Sequence, residues 1–282
     1  MKMPNWIASV SVACAVLAWA GAASGTPSTT YWAPSTTYVQ PFLVPHLTYD
    51  TYFWKTAAYP IDTGVTMGVL PFEPVQLEVG CDVLLPTANP LQFFLHAKLG
   101  TPEGTFFEGS PSLAVGVFGV GVQGKSDDNL GTSYDGLYVQ IQENLPWGGY
   151  VSTGGYYGVG TEELWLSSDG SEHRAGFMGA VTSPDININL PGLKKLVVVA
   201  DVQSGKNVFG AAGGGISFYF TDNIALLTGP VYFFEGGLQP GGESWMWTAQ
   251  LDVDIPLLPA PAPAAPKAPA APAEPATPAP TP

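Results

Sequence analysis

Apolar and polar side chains alternate with a period of two through most of this chain. Between Val75 and Leu85, Val75, Leu77, Val79, Cys81 and Val83 share one face, while Gln76, Glu78 and Asp82 share the other. The stretch from Trp245 to Ile255 sets Trp245, Trp247, Ala249, Leu251, Val253 and Ile255 against Met246, Thr248, Gln250, Asp252 and Asp254. A shorter run sets Leu137, Val139 and Ile141 against Tyr138, Gln140 and Gln142. Successive side chains of a strand point to opposite faces, so each run reads as a strand with one greasy and one polar side.

Extended along the chain, the pattern predicts twelve strands near 37–54, 62–70, 75–85, 90–99, 112–123, 134–143, 149–158, 173–182, 195–203, 208–220, 224–234 and 244–255. The first is too long for one strand and is interrupted by Pro41 and Pro45, so the expected count spans 11 to 14. The 34 Gly, 28 Pro and 11% charged residues fit many short strands joined by turns rather than helices.

Alternation alone fits two all-β architectures. In a soluble sandwich the apolar faces pack together and the polar faces meet water; in a membrane barrel the apolar face meets lipid and the polar face lines the lumen. Three features favour the antiparallel transmembrane barrel. Mean hydropathy is positive even with a Pro-Ala tail included. Aromatic residues Tyr31, Trp32, Tyr52, Phe53, Trp54, Phe218, Phe220, Tyr232, Phe233, Trp245 and Trp247 lie at predicted strand ends, where a membrane interface holds amphipathic rings. Tyr31, Trp32, Trp54, Phe218, Phe220, Tyr232, Trp245 and Trp247 are the expected interfacial set. Finally, Gly213 to Gly229 reads as two strands around a tight Thr221-Asp222-Asn223 turn, with small residues alternating with Ile216, Phe218 and Phe220.

The two ends differ from the middle. Residues 1–24 carry one charge, Lys2, then an apolar run from Ile7 to Ala20 and small residues to Ser24, which is the composition of an export signal. Its loss would make the net charge of −14 one unit more negative and leave Cys81 as the one cysteine, so no disulfide is expected within the mature chain. Such an acidic chain is a poor partner for nucleic acid. Residues 256–282 hold 11 prolines among alanines, with Lys267 and Glu274, and lack the apolar bulk of a core; an extended solvated tail is expected, a spacer toward the cell wall or a periplasmic protein being the sharper reading. The barrel itself is expected over 25–255.

The Tyr31-Trp32-Ala33-Pro34 opening, the Tyr49 to Trp54 aromatic run and the Ser217 to Leu227 hairpin, behind an export signal, give a pattern that resembles the porin-like outer-membrane β-barrels of Gram-negative bacteria, many of them uncharacterised. The resemblance implies a location in the outer membrane, contact with its lipid, and passive transport. One departure stands out. Many such barrels end on an aromatic residue read by the assembly machinery, whereas here the last strand runs into the Pro-rich tail.

No motif predicts an enzyme or a cofactor. Gly119-Val-Gly-Val-Gln-Gly124 matches a dinucleotide fingerprint in its letters, but it lies in a strand-like run and Lys125-Ser-Asp-Asp-Asn129 follows it instead of a helix. His46, His96 and His173 are far apart and have no Cys, Asp or Glu at metal-ligand spacing, so each reads as structural. No Gly-x-Ser-x-Gly elbow is present. The acidic pairs Asp127 and Asp128, Glu162 and Glu163, and Asp169 and Glu172 lack the spacing of a calcium loop and read as solvated loops.

The polar parity, in contrast, assembles a lumen. Gln76, Glu78, Asp82, Lys98, Gln140, Gln142, Asp201, Gln203, Gln250, Asp252 and Asp254 are the residues expected to face inward, with Lys98, Arg174 and Lys195 as the candidate cationic partners of the carboxylates. A carboxylate in a dry lumen would cost several kcal/mol. The expected function is therefore a hydrated passage for small cationic or neutral solutes. The alternatives are a barrel closed by the 25–45 segment or by its own side chains, and a soluble carbohydrate-binding sandwich that uses its aromatics as stacking platforms.

Overall fold

The computed structural model describes residues 29–55, 60–85 and 91–258; the expected export signal and all but the first residues of the expected tail lie outside that range. Thirteen strands form one antiparallel sheet: β1 (His46–Phe53), β2 (Ile61–Gly68), β3 (Gln76–Leu85), β4 (Phe93–Thr101), β5 (Ser112–Gly121), β6 (Gly136–Asn144), β7 (Tyr150–Gly158), β8 (Ala175–Thr182), β9 (Ile186–Leu190), β10 (Leu193–Gln203), β11 (Ala211–Tyr219), β12 (Ile224–Phe233) and β13 (Trp245–Asp254). Neighbours in sequence pair throughout, except that β8 pairs with β10.

The sheet closes on itself. β1 pairs along its whole length with β13, from His46 opposite Asp254 to Phe53 opposite Trp247, and β10 pairs with β11. Twelve strands thus make a barrel wall, and β9 is an extra strand carried on β10. A sandwich of two sheets does not form. The predicted strands recur almost one for one, with two differences. β9 has no counterpart in the prediction, and the 37–54 run yields a strand only from His46, because Pro41 and Pro45 remove two amide donors that a wall strand needs. Residues 29–45 form no wall strand and pair with the sheet only through an isolated parallel bridge from Phe42 to Gly68 of β2.

Polarity is inverted relative to a soluble protein. Leu47, Tyr49, Val79, Leu95, Val115, Leu137, Val139, Ile141, Phe177 and Leu251 project outward and are exposed, Val139 by 53%. The alternate positions, among them Glu78, Lys98, Gln140, Gln142, Thr248 and Gln250, are buried inside. The wall has one local irregularity, a register shift between β4 and β5 at Leu95/Ala97. Gly119 lies beside it in the left-handed region at φ 62°, a conformation costly for a side chain. The dinucleotide-like letters around it therefore belong to a strand end and a loop, with no helix to receive a phosphate.

The wall begins and ends at one mouth, since His46 opens β1 opposite the close of β13. That mouth carries the tight connections 145–149 and 220–223; the opposite mouth carries the long loops 122–135, 159–174 and 234–244.

The outward face yields a test. Val139→Arg places a charge in the middle of the exposed apolar band, and folding into phosphatidylcholine vesicles followed against urea is expected to show a loss of about 2–4 kcal/mol. A surface that meets water would tolerate the change within about 0.5 kcal/mol.

Candidate functional site in the barrel lumen

The segment 29–45 threads the lumen. It turns at Thr30–Ala33, where the Thr30 amide donates to the Ala33 carbonyl at 3.3 Å, and then crosses the inner wall toward the start of β1. The turn is held by Asp201 of β10. Its Oδ2 accepts the backbone N–H groups of Tyr31 (3.1 Å), Trp32 (3.0 Å) and Ala33 (2.9 Å), and the Ser35 hydroxyl at 3.0 Å. Four donors on one carboxylate replace the water that burial removes.

Further along, each rung of the wall supplies a partner. Gln142 Oε1 accepts from the Thr36 hydroxyl (2.9 Å) and the Thr37 amide (3.1 Å), and Thr37 Oγ1 lies 2.7 Å from Ser112 Oγ. Lys98 Nζ donates to the Tyr38 carbonyl at 2.8 Å, and Glu78 accepts the Gln40 amide at 2.7 Å. Lys98 and Glu78, each only 1% exposed, also pair with each other at 3.3 Å. Gln40 Nε2 reaches Asp254 at 2.8 Å, and Gln250 Nε2 reaches the Tyr31 carbonyl at 3.1 Å.

Glycines in the wall make the room. A Cβ at Gly213 would come within 2.4 Å of the Tyr31 ring, and those at Gly215 and Gly229 within 3.0 Å of the same side chain. Tyr31 lies in this hollow with its hydroxyl donating to the Pro230 carbonyl at 3.2 Å. The glycine run of the 213–229 hairpin is thus a seat for the segment inside.

Tyr31, Trp32 and Trp54 were expected at the membrane interface and need correction, because all three lie inside. Trp54 follows the inward parity of His46, Thr48, Asp50 and Tyr52 and stacks on Phe233 at 5.4 Å; Trp32 packs edge-on against Phe233 and donates its indole N–H to the Phe209 carbonyl at 2.9 Å. Strand-end position in the sequence does not distinguish an outward from an inward ring. The others point outward: Trp245 and Tyr232 contact each other at 4.7 Å on the exposed face, Trp247 donates to Thr228 Oγ1 at 2.7 Å, and Phe218 and Phe220 share the outward parity of Ile216.

A cavity of about 750 Å³ remains beside the segment, against the β13–β1–β2–β3–β4 wall. Asp82, Asp252, Glu78, Gln203 and Gln250 of the expected inward set line it, together with Asp50, Asp62, His46 and His96. Gln140, Gln142, Asp201, Lys98 and Asp254 lie inside but are buried in the wall or against the segment, and Gln76 is half-buried at the start of β3. Of the cations expected to serve the lumen, Lys98 alone does so. Arg174 pairs with Glu172 and Glu162 in the long loop, and Lys195 pairs with Asp185 near the other mouth.

Histidines supply the missing partners, which their sequence spacing concealed. His46 is bracketed by Asp254 at Nδ1 (2.9 Å) and Asp252 at Nε2 (3.3 Å), because β1 begins directly opposite the end of β13. His96 Nδ1 lies 3.1 Å from Asp82, and its Nε2 lies 2.7 Å from Thr66 Oγ1. Asp50 and Asp62 lie directly opposite each other on β1 and β2; the prolines obscure the phase that would reveal Asp50, and Asp62 stands at the very edge of the expected 62–70 strand. No group of three metal-ligating side chains comes together among the described residues.

No protein-family model matches the chain, and no curated protein is similar to it in sequence. Among solved structures it is similar to an outer membrane channel from Pseudomonas putida F1, at 12% identity and a TM-score of 0.42, over 79% of this chain and 99% of that one. At that score nothing follows from the likeness beyond what the strands themselves display.

Asp201→Ala removes the acceptor for three successive amides, so hydrogen exchange at Tyr31, Trp32 and Ala33 is expected to accelerate by more than about tenfold, while exchange in β6 and β7 stays unchanged. Lys98→Ala leaves Glu78 buried without its cation and is expected to cost about 3–5 kcal/mol in denaturant unfolding, with the Lys98→Met, Glu78→Gln double variant closer to wild type.

Proposed function

We infer that this chain is an outer-membrane β-barrel that serves as a narrow passive channel for small cationic or neutral solutes, with lipid as its outer partner and the mouth where β1 begins and β13 ends facing the periplasm. The observation that carries this reading is the inverted polarity of a closed wall. An apolar belt that would aggregate in water is well placed in hydrocarbon, where a barrel satisfies every wall amide internally. The carboxylates of the cavity repel anions over a screening length of about 8 Å and favour cations.

A second reading, a closed structural barrel, draws on the segment 29–45, which occupies much of the lumen. Single-channel recording in planar bilayers separates the two. The channel reading predicts discrete steps, a reversal potential shifted toward the cation equilibrium value under a KCl gradient, and a several-fold larger conductance when residues 29–40 are deleted. Steps that appear only in the deletion variant identify the closed barrel; anion selectivity contradicts the account of the cavity.

A further inference from the structure

The acids of the cavity are not equally served. Asp82 has His96, Asp252 has His46, and Glu78 has Lys98, whereas Asp50 and Asp62 have no ion-pair partner among the described residues. Asp50 Oδ1 and Asp62 Oδ1 are buried without a hydrogen bond, and the Tyr52 hydroxyl lies 3.5 Å from the other oxygen of Asp62. Two facing carboxylates in this state call for a positive charge between them.

Independent of the acids, one donor on the cavity lining has no partner. Trp54, 6% exposed, has a free indole N–H. The space above the acids is aromatic, since Tyr52 and Trp54 follow Asp50 along the inward face of β1, Trp32 meets Tyr52 edge-on at 6.2 Å, and Phe94 lies opposite Asp82 on β4. Rings of this kind attract a cation by their faces and bury an apolar body. A volume of about 750 Å³ accommodates a small organic molecule with room for water.

We propose that the cavity is a binding site for an organic ammonium ion with an apolar or aromatic body. The ammonium group lies between Asp50 and Asp62, the body lies against Trp32, Tyr52 and Phe94, and a polar acceptor on the solute meets the Trp54 indole N–H. This names the solute class of the channel and so rests on that reading of the lumen, but binding can be measured without transport.

The test uses the full chain purified in detergent, with isothermal titration of three probes that share one ring: tyramine, the neutral 4-ethylphenol, and the anionic 4-hydroxyphenylacetate. Tyramine is expected to bind saturably and at least about tenfold more tightly than either of the others. Asp50→Asn with Asp62→Asn is expected to abolish that preference with strand content by circular dichroism unchanged. Should that variant fail to fold, Tyr52→Leu, which keeps both acids, is expected to weaken tyramine several-fold. Equal binding of the three probes, or no saturable binding of tyramine by folded protein, overturns the proposal. Absence of tyramine preference in a protein that conducts cations removes this inference alone; preference in a protein that does not conduct leaves the site and removes the channel.

Discussion

The pairing of β1 with β13 is the constraint on which everything else depends. A sheet that fully closes leaves no row of free amides and carbonyls along an edge, which is the one condition under which strands can face hydrocarbon. From His46 opposite Asp254 to Phe53 opposite Trp247 the seam is continuous. Once it is made, the alternation of side chains fixes the rest: each apolar position that leaves the wall on the outside commits its neighbours to the inside. The inside is consequently rich in Gln, Glu, Asp, Ser and Thr, and these groups need partners.

Residues 29–45 supply most of them. Asp201 holds three backbone amides and a hydroxyl, Gln142 holds Thr36 and Thr37, and the Glu78–Lys98 pair grips the segment at Gln40 and Tyr38. Replacing each buried polar side chain with an apolar one would have filled the lumen equally well. The polar solution ties the segment to one register, because a shifted segment would leave several buried acceptors empty. Beyond these contacts, toward the mouth that carries the long loops, the lumen stays open and its acids are only partly neutralised, and there the chemistry of a solute enters.

Much of this was legible in the sequence because a strand has an integral side-chain period. The phases at Val75–Leu85, Leu137–Gln142 and Trp245–Asp254 assigned inner and outer faces correctly within the wall, and eleven of the twelve predicted strands matched wall strands directly. The first strand was harder, since its prolines merged wall and lumen segment into one run and hid Asp50. The aromatic signal was ambiguous for a related reason. Tyr31 and Trp54 have the amphipathic character of interfacial rings, but the space left by Gly213, Gly215 and Gly229, and the stack on Phe233, draw them inward. Histidines 46 and 96 gave no local signal at all. Their carboxylate partners are neighbours only through strand pairing, and Asp254 is as far from His46 in sequence as the closure of the barrel requires.

The environment of the apolar belt decides whether this chain is a membrane barrel, and separation of cell membranes followed by electrophoresis in SDS with and without heating tests it most directly. An integral barrel is expected to sediment with the outer membrane, to resist extraction by alkaline carbonate, and to run as a compact, faster band until heated. Protein recovered in the soluble fraction, with one mobility in both conditions, would contradict it.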